Sequence, residues 1–373
     1  MTGSEIQFGD FQIVLPKHLR SQDVLETWVN ELRRQSALIG GNPEPNLRLI
    51  QRYTVKPTQV GQRYFECDDL NHEPFELEKH QIFPLKSTAL AGVGIQERTN
   101  FFGERVNEVF RNFYEKADRK PDHLIHVTCT GYLAPSGAQR LVSDPSWDHQ
   151  TDITHAYHMG CYASLPALRM AESFVRSGQS KNVDIVHTEL CGLHMNPNSL
   201  EPEQLVVQSL FADGHIKYSV QSKGEGPGLK VLRISERLIP GTSEFMTWQA
   251  AAHGMQMTLS RKVPEIIHQK IRQFFTELAG GEDQFAELIK KAVFAIHPGG
   301  PRIIDVIRES LEISEEQVFW SRKVLFERGN MSSATLPHVW KEVLDSRPPR
   351  GTKIVSFAFG PGLTVFGAIF EVA

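Results

Sequence analysis

Leu124-Ile125-His126-Val127-Thr128-Cys129-Thr130 is a short run rich in branched side chains, followed at once by the loop Gly131-Tyr132-Leu133-Ala134-Pro135-Ser136-Gly137. Branched residues fit a pleated strand, and the Gly/Pro cluster ends it. Downstream, residues 163–177 read as a helix, with Leu168, Ala171 and Val175 on one face and Pro166 tolerable in the first turn. Residues 183–190 return to strand, 202–211 to helix and 216–220 to strand. This alternation predicts a layered α/β fold rather than a bundle or a sandwich.

Lys223-Gly224-Glu225-Gly226-Pro227-Gly228 is polar and flexible. It divides the chain into residues 1–222 and 223–373, although a hairpin turn inside one domain has the same composition. Beyond it, residues 264–278 form an amphipathic helix striped by Ile267, Ile271, Phe274 and Leu278. A strand at 293–296, helices at 301–311 and 315–328, and a β pair at 353–359 and 363–372 around Gly360-Pro361-Gly362 complete this half. The layout strand, Gly/Pro loop, helix occurs at 124–137 and again from 294 through Pro298-Gly299-Gly300. That repetition suggests two halves on one plan, although the residues barely match. Upstream, a helix is expected at 23–36 and another at 88–116. Pro43, Pro45, Pro57 and Pro74 break the stretch between into loops with short pieces of structure.

The 373 residues are 40% hydrophobic and 23% charged, which excludes a disordered chain. With 40 basic and 44 acidic residues the net charge is -4, so nothing implies general attraction to nucleic acid or an anionic membrane. No apolar run reaches the roughly 20 residues of a membrane helix. The polar start Met1-Thr2-Gly3-Ser4-Glu5 does not read as a secretory signal. Cys67, Cys129, Cys161 and Cys191 are too scattered for a disulfide framework and contain no CxxC pair, so a reducing, cytoplasmic setting is expected. His155, His158, His187 and His194 follow no zinc spacing, and no metal site is expected.

Four motifs carry chemistry. In His158-Met159-Gly160-Cys161-Tyr162-Ala163-Ser164, a cysteine after glycine meets the start of a helix, where N–H groups and the dipole favour a thiolate. A buried structural cysteine is the plainer reading. In Ala295-Ile296-His297-Pro298-Gly299-Gly300-Pro301, a histidine ends an apolar strand at a sheet edge, where α/β folds place their sites. Arg328-Gly329-Asn330-Met331-Ser332-Ser333-Ala334-Thr335 holds an asparagine that also suits a helix cap. Phe357-Ala358-Phe359-Gly360-Pro361-Gly362-Leu363-Thr364 allows close approach of backbone to a ligand, or forms a plain β-turn.

The cysteine, HPGGP, GNMSSAT and FGPGLT, in this order and at these separations, resemble a type III polyketide synthase of the chalcone synthase-like group in the thiolase superfamily. The resemblance spans roughly residues 123–373 and is faint before them. HPGGP and GNMSSAT alone also suit the ketoacyl synthases. The FGPG loop and Ser209-Leu210-Phe211-Ala212-Asp213-Gly214 favour the polyketide group.

This resemblance implies a five-layered αβαβα fold of two related halves, a homodimer, and a Cys161–His297–Asn330 triad. Cys161 takes an acyl group from a CoA thioester, and an imidazolium at His297 holds the thiolate. When malonyl-CoA loses CO2, donors on His297 and Asn330 stabilise the enolate; a carboxylate in place of the amide would repel it. Phe211 and Met257 occupy two gatekeeper positions. Methionine departs from the usual phenylalanine, which implies a softer, wider passage and long or bulky acyl chains. Cys129 and Cys191 stand where plant members usually carry threonines, with His194 nearby. Ser332, Gly360, Pro361 and Gly362 are assigned to the same cavity. Ala358 replaces the first glycine of the usual GFGPG, at little cost if its φ is negative.

Arg52, Lys56 and Arg63 are the candidates for gripping the CoA phosphates, each also readable as surface charge. The implied reaction is acyl-CoA priming, decarboxylative extension with malonyl-CoA, and closure to a pyrone or resorcinol-type ring, with no cofactor beyond the CoA thioesters. The alternatives are a single-round ketosynthase joining two preformed chains, with an acyl carrier protein as a further possible partner, and a non-catalytic subunit that keeps the fold. A cysteine protease ranks last, since a hydrolase has no need of the HPGGP context.

Overall fold

The computed structural model describes residues 5–117, 119–222 and 226–373. Its strands are β1 (Gln7–Val14), β2 (His18–Ser21), β3 (Gln62–Phe65), β4 (His123–Thr128), β5 (Asp152–Tyr157), β6 (Asn182–Leu190), β7 (Asp213–Gln221), β8 (Gly228–Leu238), β9 (Met246–Ala251), β10 (Gly254–Leu259), β11 (Val293–Ile296), β12 (Lys353–Gly360) and β13 (Thr364–Val372). The helices are α1 (Gln22–Gly40), α2 (Leu47–Tyr53), α3 (Ile95–Tyr114), α4 (Gly137–Val142), α5 (Ser164–Arg176), α6 (Pro202–Leu210), α7 (Val263–Ala279), α8 (Glu282–Lys291), α9 (Pro301–Leu311), α10 (Glu315–Arg328) and α11 (Thr335–Asp345).

Nine strands share one mixed sheet in the order β11-β12-β13-β8-β1-β7-β6-β4-β5. β4 runs parallel to both β5 and β6, and β11 parallel to β12. The strands on either side of the expected linker are not direct neighbours, because β1 lies between β7 and β8. The linker residues 223–225 lie outside the described residues.

Three cores give the layers. One packs α5 and α11 (Leu165, Leu168, Ala171, Leu336, Val339, Trp340) against β4, β7, β12 and β13. The second covers the other face of β11, β12 and β13 with α7 and α9. The third covers β4 and β6 with α1 and α3. Alternation along β12 sends Ile354 and Ala358 to the first core and Val355, Phe357 and Phe359 to the second, so both faces of the strand are apolar. The one sheet thus bends around α5 and α11, so that its β11–β13 end and its β4–β7 end pack on the same middle helices. Helices α7 and α9 cover the first end and α1 and α3 the second, giving the succession helix, sheet, helix, sheet, helix. Small residues at Ala163, Ala167 and Ala171 let α5 lie between the two ends of the sheet, and the Trp340 indole is accommodated by donating to Ser356 Oγ at 2.8 Å.

Most elements expected from residue 123 onward are present within a residue or two. Strands β1, β2, β5 and β8 and both strands of the β9–β10 ribbon were not anticipated. The ribbon matters most, because Met257 and Trp248 are paired across it.

Candidate active site

Cys161 lies in a tight turn three residues before α5 begins at Ser164. The approach is strained: His158 has φ 61° and Gly160 has φ 80°. Only glycine fits at 160, since a Cβ there would stand 2.9 Å from Pro361 Cδ. The contact is reciprocal across the two motifs, because a Cβ on Gly360 would run into the Tyr162 ring at 1.9 Å. The Gly360-Pro361-Gly362 loop therefore buttresses the cysteine turn. Ala358 sits within β12 and is not among the positive-φ residues, so its replacement of glycine is without strain.

From the other half, the run before α11 places Asn330 and Ser332 beside this sulfur. Asn330 N–H donates to Leu210 O, and its carbonyl accepts from Ala212 N, which locks the segment against the Phe211 strand end. Asn330 Oδ1 accepts from Ser332 N at 2.9 Å and Thr335 Oγ1 at 3.3 Å. With its oxygen occupied, the amide presents Nδ2, which donates to Gly299 O at 3.5 Å and stands near enough to the Cys161 thiol to lower it. Asn330 thus caps the local turn and serves the site together.

Ser332, held at φ 50°, bonds Cys129 Sγ at 3.0 Å and Cys161 Sγ at 3.7 Å through its hydroxyl. His297 follows β11. Its N–H donates to Phe357 O, and its ring lies against Gly299. Both ring nitrogens are buried without a partner among the described residues, which is costly unless a ligand supplies one.

Burial sets the charge state. It pushes the Cys161 thiol up to about 12, outweighing the Ser332 and Asn330 hydrogen bonds that act the other way. Burial also pulls the His297 imidazole down to about 3. Both shifts run against the expected imidazolium–thiolate pair, since Cys161 is buried and stands ahead of the helix rather than on its first N–H groups.

Glu189, at the end of β6, was not anticipated. Fully buried, it accepts from Cys129 N–H at 3.1 Å, Thr130 Oγ1 at 2.8 Å and Ser333 Oγ, and it stands near enough to Cys161 to raise the thiol further. Two acids in a strand buried along its whole length, Asp184 and Glu189, were the available signal.

Cys129, Cys161, Cys191, Phe211, Trp248, Met257, Ser332 and Pro361 line a chamber of about 20 Å³. Trp248 stands beside Met257 across the β9–β10 ribbon, its indole donating to Cys129 O at 2.6 Å, and lines the same chamber. A second, apolar pocket shares Cys191, Phe211, Trp248 and Met257 with the chamber and runs toward Leu25, Trp28 and Phe83. On its wall, His194 has both nitrogens committed to backbone, Nε2 to Thr130 O and Nδ1 to Met255 N–H. It is a clamp between loops with no nitrogen left for substrate.

A cleft of about 330 Å³, walled in part by Leu210, the residue before Phe211, opens between Tyr53, Pro202, Arg261, Gly299, Gly300 and Arg302. Arg52 and Lys56 are exposed beside it. Arg63 is not: only 3% exposed, it bonds Gln22 Oε1 and the carbonyls of Gln208 and Phe211. Its assignment to a CoA phosphate is corrected to a tie between α1, β3 and α6. Arg261 and Arg302, absent from the sequence candidates, line the cleft instead.

Residues 230–372 match the family described as chalcone and stilbene synthases, C-terminal domain. The chain is 28% identical over 294 residues to a 1,3,6,8-tetrahydroxynaphthalene synthase of Streptomyces coelicolor, covering 77% of each chain. It is 31% identical over 259 residues to the alpha-pyrone synthesis polyketide synthase-like Pks18 of Mycobacterium tuberculosis, covering 67% of this chain and 64% of that one. The fold superposes on the C-terminal type III polyketide synthase domain of Steely1 from Dictyostelium with a TM-score of 0.80 at 24% identity, covering 98% of this chain and 99% of that one. The layered fold and these likenesses define a condensing enzyme of the thiolase type. This chain belongs to the chalcone synthase-like type III polyketide synthases.

Proposed function

We propose that the protein loads an acyl group on Cys161, extends it by decarboxylative condensation with malonyl-CoA and releases a cyclised pyrone or resorcinol-type polyketide. The observation that carries the reading is the buried His297, with two unpartnered nitrogens among the described residues, its ring against the same Gly299 that accepts from the Asn330 amide near Cys161. In loading, Cys161 Sγ forms the new thioester as the C–S bond to CoA breaks, and His297 passes the thiol proton on to the departing CoA sulfur. In extension, CO2 departs from the malonyl group and its electron pair becomes an enolate, whose oxygen receives hydrogen bonds from His297 and Asn330. The enolate carbon attacks the Cys161 thioester, freeing the sulfur.

The starter's alkyl chain passes between Cys191 and Trp248 into the second pocket, where Met195, Met255 and Met257 re-pack around it. The CoA end lies in the cleft past Phe211, with Arg52, Lys56, Arg261 and Arg302 at its phosphates. Cys129, Ser332, Gly360, Pro361 and Gly362 shape the chamber. Residues 1–222 and 223–373 act as two related halves, one giving the sulfur and the other the imidazole and amide. The chemistry uses no cofactor besides the thioesters. The open edge of β5 suits pairing with a second copy. Four free buried cysteines fit a reducing cytoplasm, and no described helix is long and apolar enough to cross a membrane.

The test is incubation of the purified protein with malonyl-CoA and fatty acyl-CoAs, followed by mass spectrometry. Products longer than the starter by repeated two-carbon units are expected. Absence of both extended product and CO2 release defeats the reading. Trp248→Ala is expected to move the preferred starter toward longer chains, each added methylene gaining up to about 0.8 kcal/mol of apolar contact.

A further inference from the structure

The cleft walled by Leu210 is rimmed by more than a nucleotide needs. On one side α2 buries only Ile50 and turns Leu47 (54% exposed) and Leu49 (40% exposed) to solvent beside Arg48 and Arg52. Lys56 follows on the same side. Across the cleft stand Arg261 and Lys262, and Arg302 closes the third side. Among the described residues, Arg302 pairs with Glu309 at 3.3 Å, whereas Arg48, Arg52, Lys56, Arg261 and Lys262 have no ion-pair partner. Arg52 and Arg261 both lie over the Tyr53 ring, at 5.7 and 5.2 Å from its centroid, which holds their guanidinium groups at the mouth. Glu203, the acid lining the cleft, already accepts from Leu259 N–H. In a chain of net charge -4, this rim is the reverse of the average surface.

We infer that this rim docks an acyl carrier protein, which delivers the starter on its phosphopantetheine arm. The inference rests on the proposed function, because it assumes that a pantetheine arm enters this cleft. The arm is common to CoA and to a carrier; what differs is the group left outside. CoA leaves an adenine nucleotide whose phosphates are satisfied by the inner cations, Lys56, Arg261 and Arg302. It has no use for Leu47, Leu49 and Arg48 farther out on α2. An acidic helix with apolar side chains along one face matches them: its carboxylates meet the unpaired cations and its apolar stripe covers the two leucines.

The test compares two donors of one decanoyl group, decanoyl-CoA and a decanoylated bacterial fatty acid carrier protein, by the rate of mass gain on Cys161 in the full-length enzyme. The wild type is expected to load from the carrier at least as efficiently as from CoA. Leu49→Asp is expected to lower carrier loading by about tenfold and leave CoA loading within about twofold. Arg48→Glu, a change at a fully solvated position, is expected to act in the same direction. CoA loading also serves as the control for folding. If the enzyme loads from CoA and not from the carrier, or if the α2 variants depress both donors equally, the docking surface is overturned and the condensing function stands. If it loads from neither, both fail. If instead Leu49→Asp abolishes sedimentation with anionic phospholipid vesicles and spares carrier loading, the surface is a membrane contact and the inference is overturned.

Discussion

The two helices of the middle layer begin alike and end up doing different work. Ala163-Ser164-Leu165-Pro166 opens α5, and Ala334-Thr335-Leu336-Pro337 opens α11. In both, an alanine of helical backbone precedes the first helical residue, and the proline falls in the first turn, where its missing N–H costs nothing. Cys161 and Ser332 hold the same place, three residues before the helix, and each turn contains a left-handed residue, Gly160 or Ser332 itself. The difference lies in what closes the turn. At 160 there is no room for a side chain, because Pro361 fills it. At 332 the strained residue keeps its side chain, and the hydroxyl spans Cys129 and Cys161. One copy of the plan presents a reactive atom; the other positions it and carries the neighbouring amide.

The sharpest way to break this division is Asn330→Asp. A carboxylate beside the developing enolate should cut malonyl-CoA decarboxylation by about 10²–10³-fold, read as CO2 release, while acyl loading falls far less. Equal losses in both half-reactions would mean that Asn330 serves structure alone. The next effect concerns the sulfur. Because burial raises the Cys161 thiol, its alkylation by iodoacetamide without substrate should climb about tenfold per pH unit between about pH 7 and pH 10. The sign follows from the thiolate fraction, which grows with pH until the thiol's own value is passed. A rate already flat near neutrality would restore the expected ion pair.

Gly160→Ala combines a left-handed φ with the Pro361 contact and should cost about 1–3 kcal/mol in urea denaturation, with loss of condensing activity. The smallest effect is expected of Ser332→Ala, about 1 kcal/mol from the lost hydroxyl bonds, with Cys129, whose thiol that hydroxyl holds down, becoming less reactive toward iodoacetamide. If Ser332→Ala proves more damaging than Gly160→Ala, the ranking of the two turns is reversed.

Much of the site was legible because its motifs combine residues that strands and helices otherwise avoid at such positions. His297 before Pro298-Gly299-Gly300 and Cys161 after Gly160 mark chain reversals at the ends of regular elements. Arg63 was misjudged for a different reason: an arginine in a proline-rich stretch reads as surface charge, and only packing shows three carbonyl and amide oxygens gathered around it. β5 escaped notice because an edge strand shows no apolar run, and β8 because its charged residues alternate with apolar ones on an exposed face. The repeat expected at the strand ends proved weak, whereas the matching A-S-L-P and A-T-L-P starts went unread, since their equivalence depends on both helices lying in one layer.

By itself, the order of residues determined the alternation of strand and helix, the identity of the three chemical groups and the family to which they belong, because these follow from local preference and spacing. Their state was decided only when the chain closed. Whether the thiol is ionised, whether Trp248 or open space faces Met257, and which cations reach the cleft all depend on solvent exclusion and on contacts between residues far apart in the chain. Those are properties of the packed interior, and no local segment contains them.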